Sequence, residues 1–178
     1  MKLTSPESIQ ILEYALEREI ETQKFYLDNL ARSTNPGTQD VLKSLAADEE
    51  RHAQIVSQLI ESAKSDGSIP DIARPGKESL KDMLKRIFPH VTLQDSTFTA
   101  ESASVQETLK KALENETDSF NTYSKAAEDS EETELKDLYT YLAEEENKHY
   151  NAIDNLLNYL DDPGKWLYEE ENLIFRRG

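Results

Sequence analysis

Residues 41–59 read VLKSLAADEERHAQIVSQL, and the order of residue types in them specifies a helix with an unusual inner face. Leu42, Leu45, Glu49, His52, Val56 and Leu59 follow one another at steps of three and four, the spacing of a single helical face. Most of that face is apolar, as a buried face should be. Glu49 and His52 stand in its middle, three residues apart and so neighbours on adjacent turns. A carboxylate buried without a partner is expensive, so the pattern demands something for Glu49 to bind.

The pattern returns further along. Residues 138–156 read LYTYLAEEENKHYNAIDNL, and Leu135, Leu138, Leu142, Glu146, His149, Ile153, Leu156 and Leu160 share one stripe. Glu146 lies 97 residues after Glu49 and His149 lies 97 after His52; the same offset pairs Glu19 with Glu116 and Tyr26 with Tyr123. Over the 48 positions from Leu12 to Leu59 the shift needs no gap and leaves 13 identities, among them Ala15/Ala112, Leu16/Leu113, Glu17/Glu114, Leu45/Leu142 and Ala46/Ala143. A self-match of this length implies two units of one design.

Each unit is a helical hairpin. The first helix is expected from about Pro6 to Ser33, with Ser5 as N-cap and Pro6 at the first helical position, and with Ile9, Leu12, Leu16, Glu19, Gln23, Tyr26 and Leu30 facing inward. Thr34-Asn35-Pro36-Gly37 has turn chemistry, and the second helix should run from about Thr38 to Lys64. A third should start near Ser104 and bury Leu109, Leu113, Glu116, Phe120, Tyr123 and Ala127; the fourth follows a polar loop, Glu128 to Glu132. Residues 65–103 are too long for a turn and read as a crossover with a short amphipathic helix (Leu80, Met83, Leu84, Ile87, Phe88). Residues 162–178, with Trp166, Leu167, Ile174 and Phe175, read as a capping tail. The expected fold is an all-α four-helix bundle built from hairpins 6–64 and 104–161, one domain over residues 1–178.

Composition narrows the chemistry. With 20 basic and 36 acidic side chains the formal net charge is −16, which argues against nucleic acid and anionic membrane surfaces as partners. Cysteine is absent, so disulfides, thiolate nucleophiles and sulfur-ligated metals are excluded. No apolar run approaches a membrane span and the N-terminus has no signal-peptide core, so the cytoplasm is the expected location. Any metal must sit on oxygen and imidazole.

A pair of divalent ions between helices wants hard oxygen ligands, imidazole and negative charge that balances its own. Glu19, Glu49, Glu116 and Glu146 supply four carboxylates, and His52 and His149 supply one neutral nitrogen for each ion. In such a set Glu49 and Glu146 would bridge both ions, with Glu19 and Glu116 completing the ends. One Glu from each of two helices and Glu-x-x-His from each of the other two is the pattern of the di-iron carboxylate bundles. A lone Glu-x-x-His in an acidic helical chain would be a solvated face. Here both copies interrupt an apolar stripe, and two of the three histidines in the chain fall in them. Tyr26 and Tyr123 are expected to pack in the core with their hydroxyls on a carboxylate or water. Glu17 and Glu114 lie off the seam, Asp48, Glu50, Glu144 and Glu145 read as a charged outer face, and His90 reads as a loop residue.

The segments 15–26, Asp48-Glu-Glu-Arg-His52, 112–123 and Glu144-Glu-Glu-Asn-Lys-His149 resemble the rubrerythrin group of the ferritin-like superfamily, over roughly residues 6 to 160. The resemblance implies a ferritin-like bundle and a non-haem di-iron centre, with Glu19, Glu49, His52, Glu116, Glu146 and His149 as ligands of two iron ions and the four glutamates as the catalytic set. It implies an oxidoreductase that oxidises Fe(II) and reduces hydrogen peroxide or dioxygen. Full-length rubrerythrins append a rubredoxin domain whose iron sits on four cysteines; this chain has none, so electrons are expected from a separate donor protein. Rubrerythrins also carry a further glutamate one turn after the third-helix ligand, where this chain has Ser119, which brings it nearer the short, rubredoxin-less members. Manganese would accept the same ligands. Iron storage without turnover and di-metal oxygenation of an organic substrate are the alternative readings, and a homodimer is the expected assembly.

Overall fold

The computed structural model describes residues 2–69 and 103–162. Four helices run through them: α1 Pro6–Leu30, α2 Pro36–Lys64, α3 Ala103–Asp129 and α4 Thr133–Asp161. No strand occurs among the described residues, and the architecture is the all-α ferritin-like four-helix bundle. The expected crossover beyond residue 69, the tail beyond residue 162 and His90 lie outside the described residues.

Local chemistry sets the helix ends. Ser5 Oγ accepts from the Ser8 N–H at 3.2 Å and Asn35 Oδ1 from the Thr38 N–H at 3.0 Å, each satisfying a donor that the first helical turn leaves open. Helix α2 begins at Pro36, two residues before the expected start, because a proline in the first turn loses no helical hydrogen bond. Helix α1 ends at Leu30 rather than Ser33. Glu132, the N-cap position of α4, makes no side-chain cap; its Oε2 accepts from the Leu3 N–H at 2.8 Å, which ties the buried Leu3 to the α3–α4 turn. At the end of α2, Gly67 has φ +73°, a conformation that only glycine adopts cheaply, and its N–H returns to Ser62 O at 2.8 Å.

Packing follows the repeat. Helix α1 lies along α2 and α3 along α4, and the hairpins meet through α1 against α3 and α2 against α4. Two apolar clusters fill the interior. One holds Leu12, Ala15, Val56, Leu59, Tyr123, Leu138 and Leu142; the other holds Leu109, Ala112, Ile153, Leu156, Tyr26, Val41 and Leu45. Taken in order, each of these seven residues of the first cluster has its counterpart 97 positions away in the second, so an approximate two-fold axis relates the clusters. Each fully buried leucine contributes about 1.5–3 kcal/mol. The polar seam residues lie between the clusters.

Two inward faces differ from the expected ones. On α1 the buried residues are Ser8, Leu12, Ala15, Glu19, Thr22, Tyr26 and Asn29; Ile9, Leu16 and Leu30 are only partly buried against the core, and Gln23 is half-buried. Small Ala15 and Thr22 take the central positions, and the larger side chains sit on the flank. On α3, Phe120 is 37% exposed, since the buried arc passes through Ala112, Glu116 and Tyr123.

Candidate metal centre

The seam residues meet at mid-bundle. Glu19 comes from α1, Glu49 and His52 from α2, Glu116 from α3, and Glu146 and His149 from α4, and none of the six is more than 2% exposed. One ligand-type atom from each of Glu49, His52, Glu146 and His149 lies within 4.8 Å of the others. His52 and His149 stack, with ring centroids 5.3 Å apart and planes 20° from parallel.

The distances repeat across the two-fold. His52 Nδ1 lies 2.9 Å from Glu146 Oε1, 3.6 Å from Glu49 Oε2 and 3.6 Å from Glu19 Oε2. His149 Nδ1 lies 2.9 Å from Glu49 Oε1, 3.7 Å from Glu146 Oε2 and 3.5 Å from Glu116 Oε2. Each imidazole nitrogen therefore faces three carboxylates, of which Glu49 and Glu146 are common to both and Glu19 or Glu116 belongs to one. Tyr26 Oη donates to Glu116 Oε1, and Tyr123 Oη donates to Glu19 Oε1, so each terminal carboxylate is held by a tyrosine of the opposite hairpin.

Electrostatics at this cluster are severe. Burial, reinforced by the neighbouring Glu146, holds the Glu49 carboxyl well above its ordinary range. Burial likewise pushes Glu116 up to about 7 although His149 pulls it back. Burial alone would raise Glu146 too, but the two imidazoles hold it well below the usual carboxylate range. For His52 and His149 burial favours the neutral ring, yet Glu146 and Glu49 respectively drive both well above the ordinary imidazole value. Tyr26 and Tyr123 are raised by burial and then by the carboxylates they hold, so both keep their protons. Four carboxylates share one dry layer, where like charges cannot all ionise without a cation.

The donor set fits a pair of divalent ions. Nδ1 of His52 and of His149, Oε1 of Glu49, Oε1 of Glu146 and Oε2 of Glu116 are all buried without a hydrogen-bond partner. An unsatisfied buried polar atom costs about 1–3 kcal/mol, and these atoms converge from four helices. Oxygen and imidazole donors in this ratio suit iron or manganese.

A second set of charges lies behind His149. Asp48, expected on the outer face, is 5% exposed; its Oδ1 pairs with Arg51 Nη1 at 2.8 Å and its Oδ2 lies 3.6 Å from His149 Nε2. Arg51 Nη2 reaches Glu145 across the hairpins at 3.1 Å, and Lys148 Nζ pairs with Glu145 at 2.5 Å. Asp48 and Glu145 are 97 apart, as are Arg51 and Lys148. The offset that singles out the seam also keeps acid on acid and base on base here, and that signal was available in the sequence. Glu17, Glu114 and Glu50 are exposed as expected, and Glu144 is half-exposed.

Among known protein families, the family model described as Rubrerythrin matches residues 10–157. No curated protein and no solved structure matches the chain. No described helix is long and apolar enough to cross a membrane.

Proposed function

Since the chain belongs to the rubrerythrin family, we propose that it is a non-haem di-iron oxidoreductase. It would oxidise Fe(II) and reduce hydrogen peroxide or dioxygen with electrons from a separate donor protein. The observation that carries this reading is the reciprocal placement of two imidazole nitrogens, each against three carboxylates with Glu49 and Glu146 in common. In this reading Glu19, Glu49 and Glu146 with His52 hold one ion, and Glu116, Glu49 and Glu146 with His149 hold the other. Two iron ions would supply two one-electron couples, the number needed to take one hydrogen peroxide and two protons to two waters.

The protein's own groups prepare the layer for that chemistry. Tyr26 and Tyr123 fix the terminal carboxylates by hydrogen bonds that neither phenol gives up by ionising. The flanking apolar clusters exclude bulk water, which strengthens every charge interaction inside. Glu49 and Glu116, protonated more readily than ordinary carboxyls, release protons when cations arrive. The chain has no cysteine with which to hold a rubredoxin-type iron, so the reductant lies outside this sequence.

The test is anaerobic loading with about two Fe(II) per chain followed by mixing with peroxide or with oxygen. Rapid oxidation, recovery of Fe(II) on adding reductant and repeated cycles are expected. Uptake of many irons per chain as mineral that reductant does not return would replace this reading with storage.

A further inference from the structure

The two-fold symmetry of the metal layer is broken on one side of the bundle, in the groove between α1 and α3. Over Glu19 and Tyr123 the groove contains a cavity with about 10 Å³ of room for a water centre, a single water's worth, walled by Arg18, Ser119 and Thr122 with Tyr14. Thr122 lines it with its hydroxyl already committed, donating back to Asp118 O at 2.8 Å.

The other half of the groove lies over Glu116 and Tyr26. The positions 97 away from Ser119 and Thr122 are Thr22 and Phe25. Phe25 is packed against the core, edge-on to Tyr26 with ring centroids 5.7 Å apart. A phenyl ring thus stands where the first half has a threonine. At these two positions the Glu19 half carries the smaller side chain.

We infer that small neutral oxidants reach the metal layer through the Glu19 half of the α1–α3 groove, and that Ser119 and Thr122 set the size of the molecule admitted. This rests on the di-iron reading above. In the cavity a seam carboxylate and its tyrosine line a gap that also includes exposed residues, Tyr14 and Asp118. With a single water's worth of room it passes only the smallest molecules and excludes an organic substrate. Arg18 reaches across the gap to Asn115 Oδ1 at 3.1 Å and pairs with Glu21 of its own helix at 3.0 Å, and its Nε is buried without a partner, a donor available to a passing oxygen atom. Arg18 and Asp118 offset one another in charge, so the lining does not select for an anion.

Nitric oxide, neutral and diatomic, serves as the probe. Its entry into the anaerobic Fe(II)-loaded protein is followed by stopped-flow visible absorption, a readout that does not depend on peroxide turnover. Thr122→Phe, which gives this half the residue already present in the other, should slow entry at least fivefold while two irons remain bound. Ser119→Leu fills the same cavity from a second position and serves if Thr122→Phe does not fold. Adding Phe25→Thr to Thr122→Phe moves the opening to the other half and should restore the rate. A filled variant that holds two irons and admits nitric oxide at the wild-type rate would overturn the proposal, and so would slowing that Phe25→Thr fails to relieve. A wild-type protein that admits nitric oxide along this route but does not reduce peroxide would overturn the oxidoreductase reading and leave the route standing.

Discussion

His52 and His149, 97 residues apart in sequence, stack with ring centroids 5.3 Å apart, and each has its Nδ1 2.9 Å from a glutamate oxygen of the other's helix. Neither hairpin can complete this layer alone. Each imidazole faces carboxylates on both sides of the interface between hairpins, so assembly of the bundle and assembly of the site are the same event.

Shared and unshared carboxylates should behave differently. Glu49→Ala or Glu146→Ala should weaken both ions, because each glutamate faces both imidazoles. His52→Ala or His149→Ala should weaken one ion preferentially. Wild type should hold about two ions per chain, counted by elemental analysis after loading. Loss of a single ion in Glu49→Ala would contradict the shared role.

Metal should stabilise the fold, and by more as pH rises. In the metal-free protein burial raises Glu49 and brings Glu116 from an ordinary 4.5 to about 7. A raised pKa means the folded state holds its proton more tightly. Its contribution to stability is thus full below the unfolded value and lost as pH climbs through the folded one. His52 and His149, raised by Glu146 and Glu49 against the effect of burial, act with the same sign from 6.5 upward. Glu146, lowered by the imidazoles, acts oppositely but loses its contribution only in acid. The metal-free melting temperature should fall between about pH 6 and about pH 8 while that of the loaded protein holds, widening the gap. Equal gaps at the two pH values would show that the carboxylates are not buried in the folded metal-free protein.

Removing the charge conflict should have the reverse effect. Glu19→Gln with Glu116→Gln keeps shape while removing two of the four carboxyl groups that compete for charge in the layer, so the metal-free bundle should melt higher than wild type and respond less to added metal. Thermal unfolding followed by circular dichroism, with and without metal, reads both.

The tyrosines hold one end of the site each. Tyr123→Phe frees Glu19, and Tyr26→Phe frees Glu116. Loss of such an outer partner costs about 10–100-fold in metal affinity, here at one ion in each case. Competition with a chelator of known strength should resolve a weakened ion beside an unchanged one. Equal loss at both ions would mean that the phenols support the fold rather than a particular carboxylate.

Asp48 and Glu50 separate the inner charges from the outer ones. Asp48→Ala removes the carboxylate behind His149 and the buried partner of Arg51, and should lower metal affinity about tenfold at the His149 ion. Glu50→Ala, on an exposed position, should change neither affinity nor melting temperature measurably.

Much of this protein was legible before any coordinates. Four amphipathic stripes, the break at Thr34–Gly37 and a gap-free offset imply two equivalent hairpins, and the offset also isolates Glu19, Glu49, His52, Glu116, Glu146 and His149. That is possible because burial makes charge costly: an acidic residue that recurs inside an apolar stripe has to have a partner. Periodicity locates a buried face but not its edges, since one residue turns a helix by about 100°. Whether Ala15 or Leu16 faces the centre, or Thr22 rather than Gln23, depends on how closely α1 approaches α3. Asp48 escapes periodicity for the same reason; it lies on the flank of the α2 face, and the proximity of Arg51 and His149 buries it. Which carboxylates each imidazole shares, which phenol holds which glutamate, and the open half of the groove at Ser119 and Thr122 all arise between helices distant in sequence. Side-chain type and spacing define what a helix face can do, whereas pairings across the interface depend on the separation and rotation of helices that only packing sets.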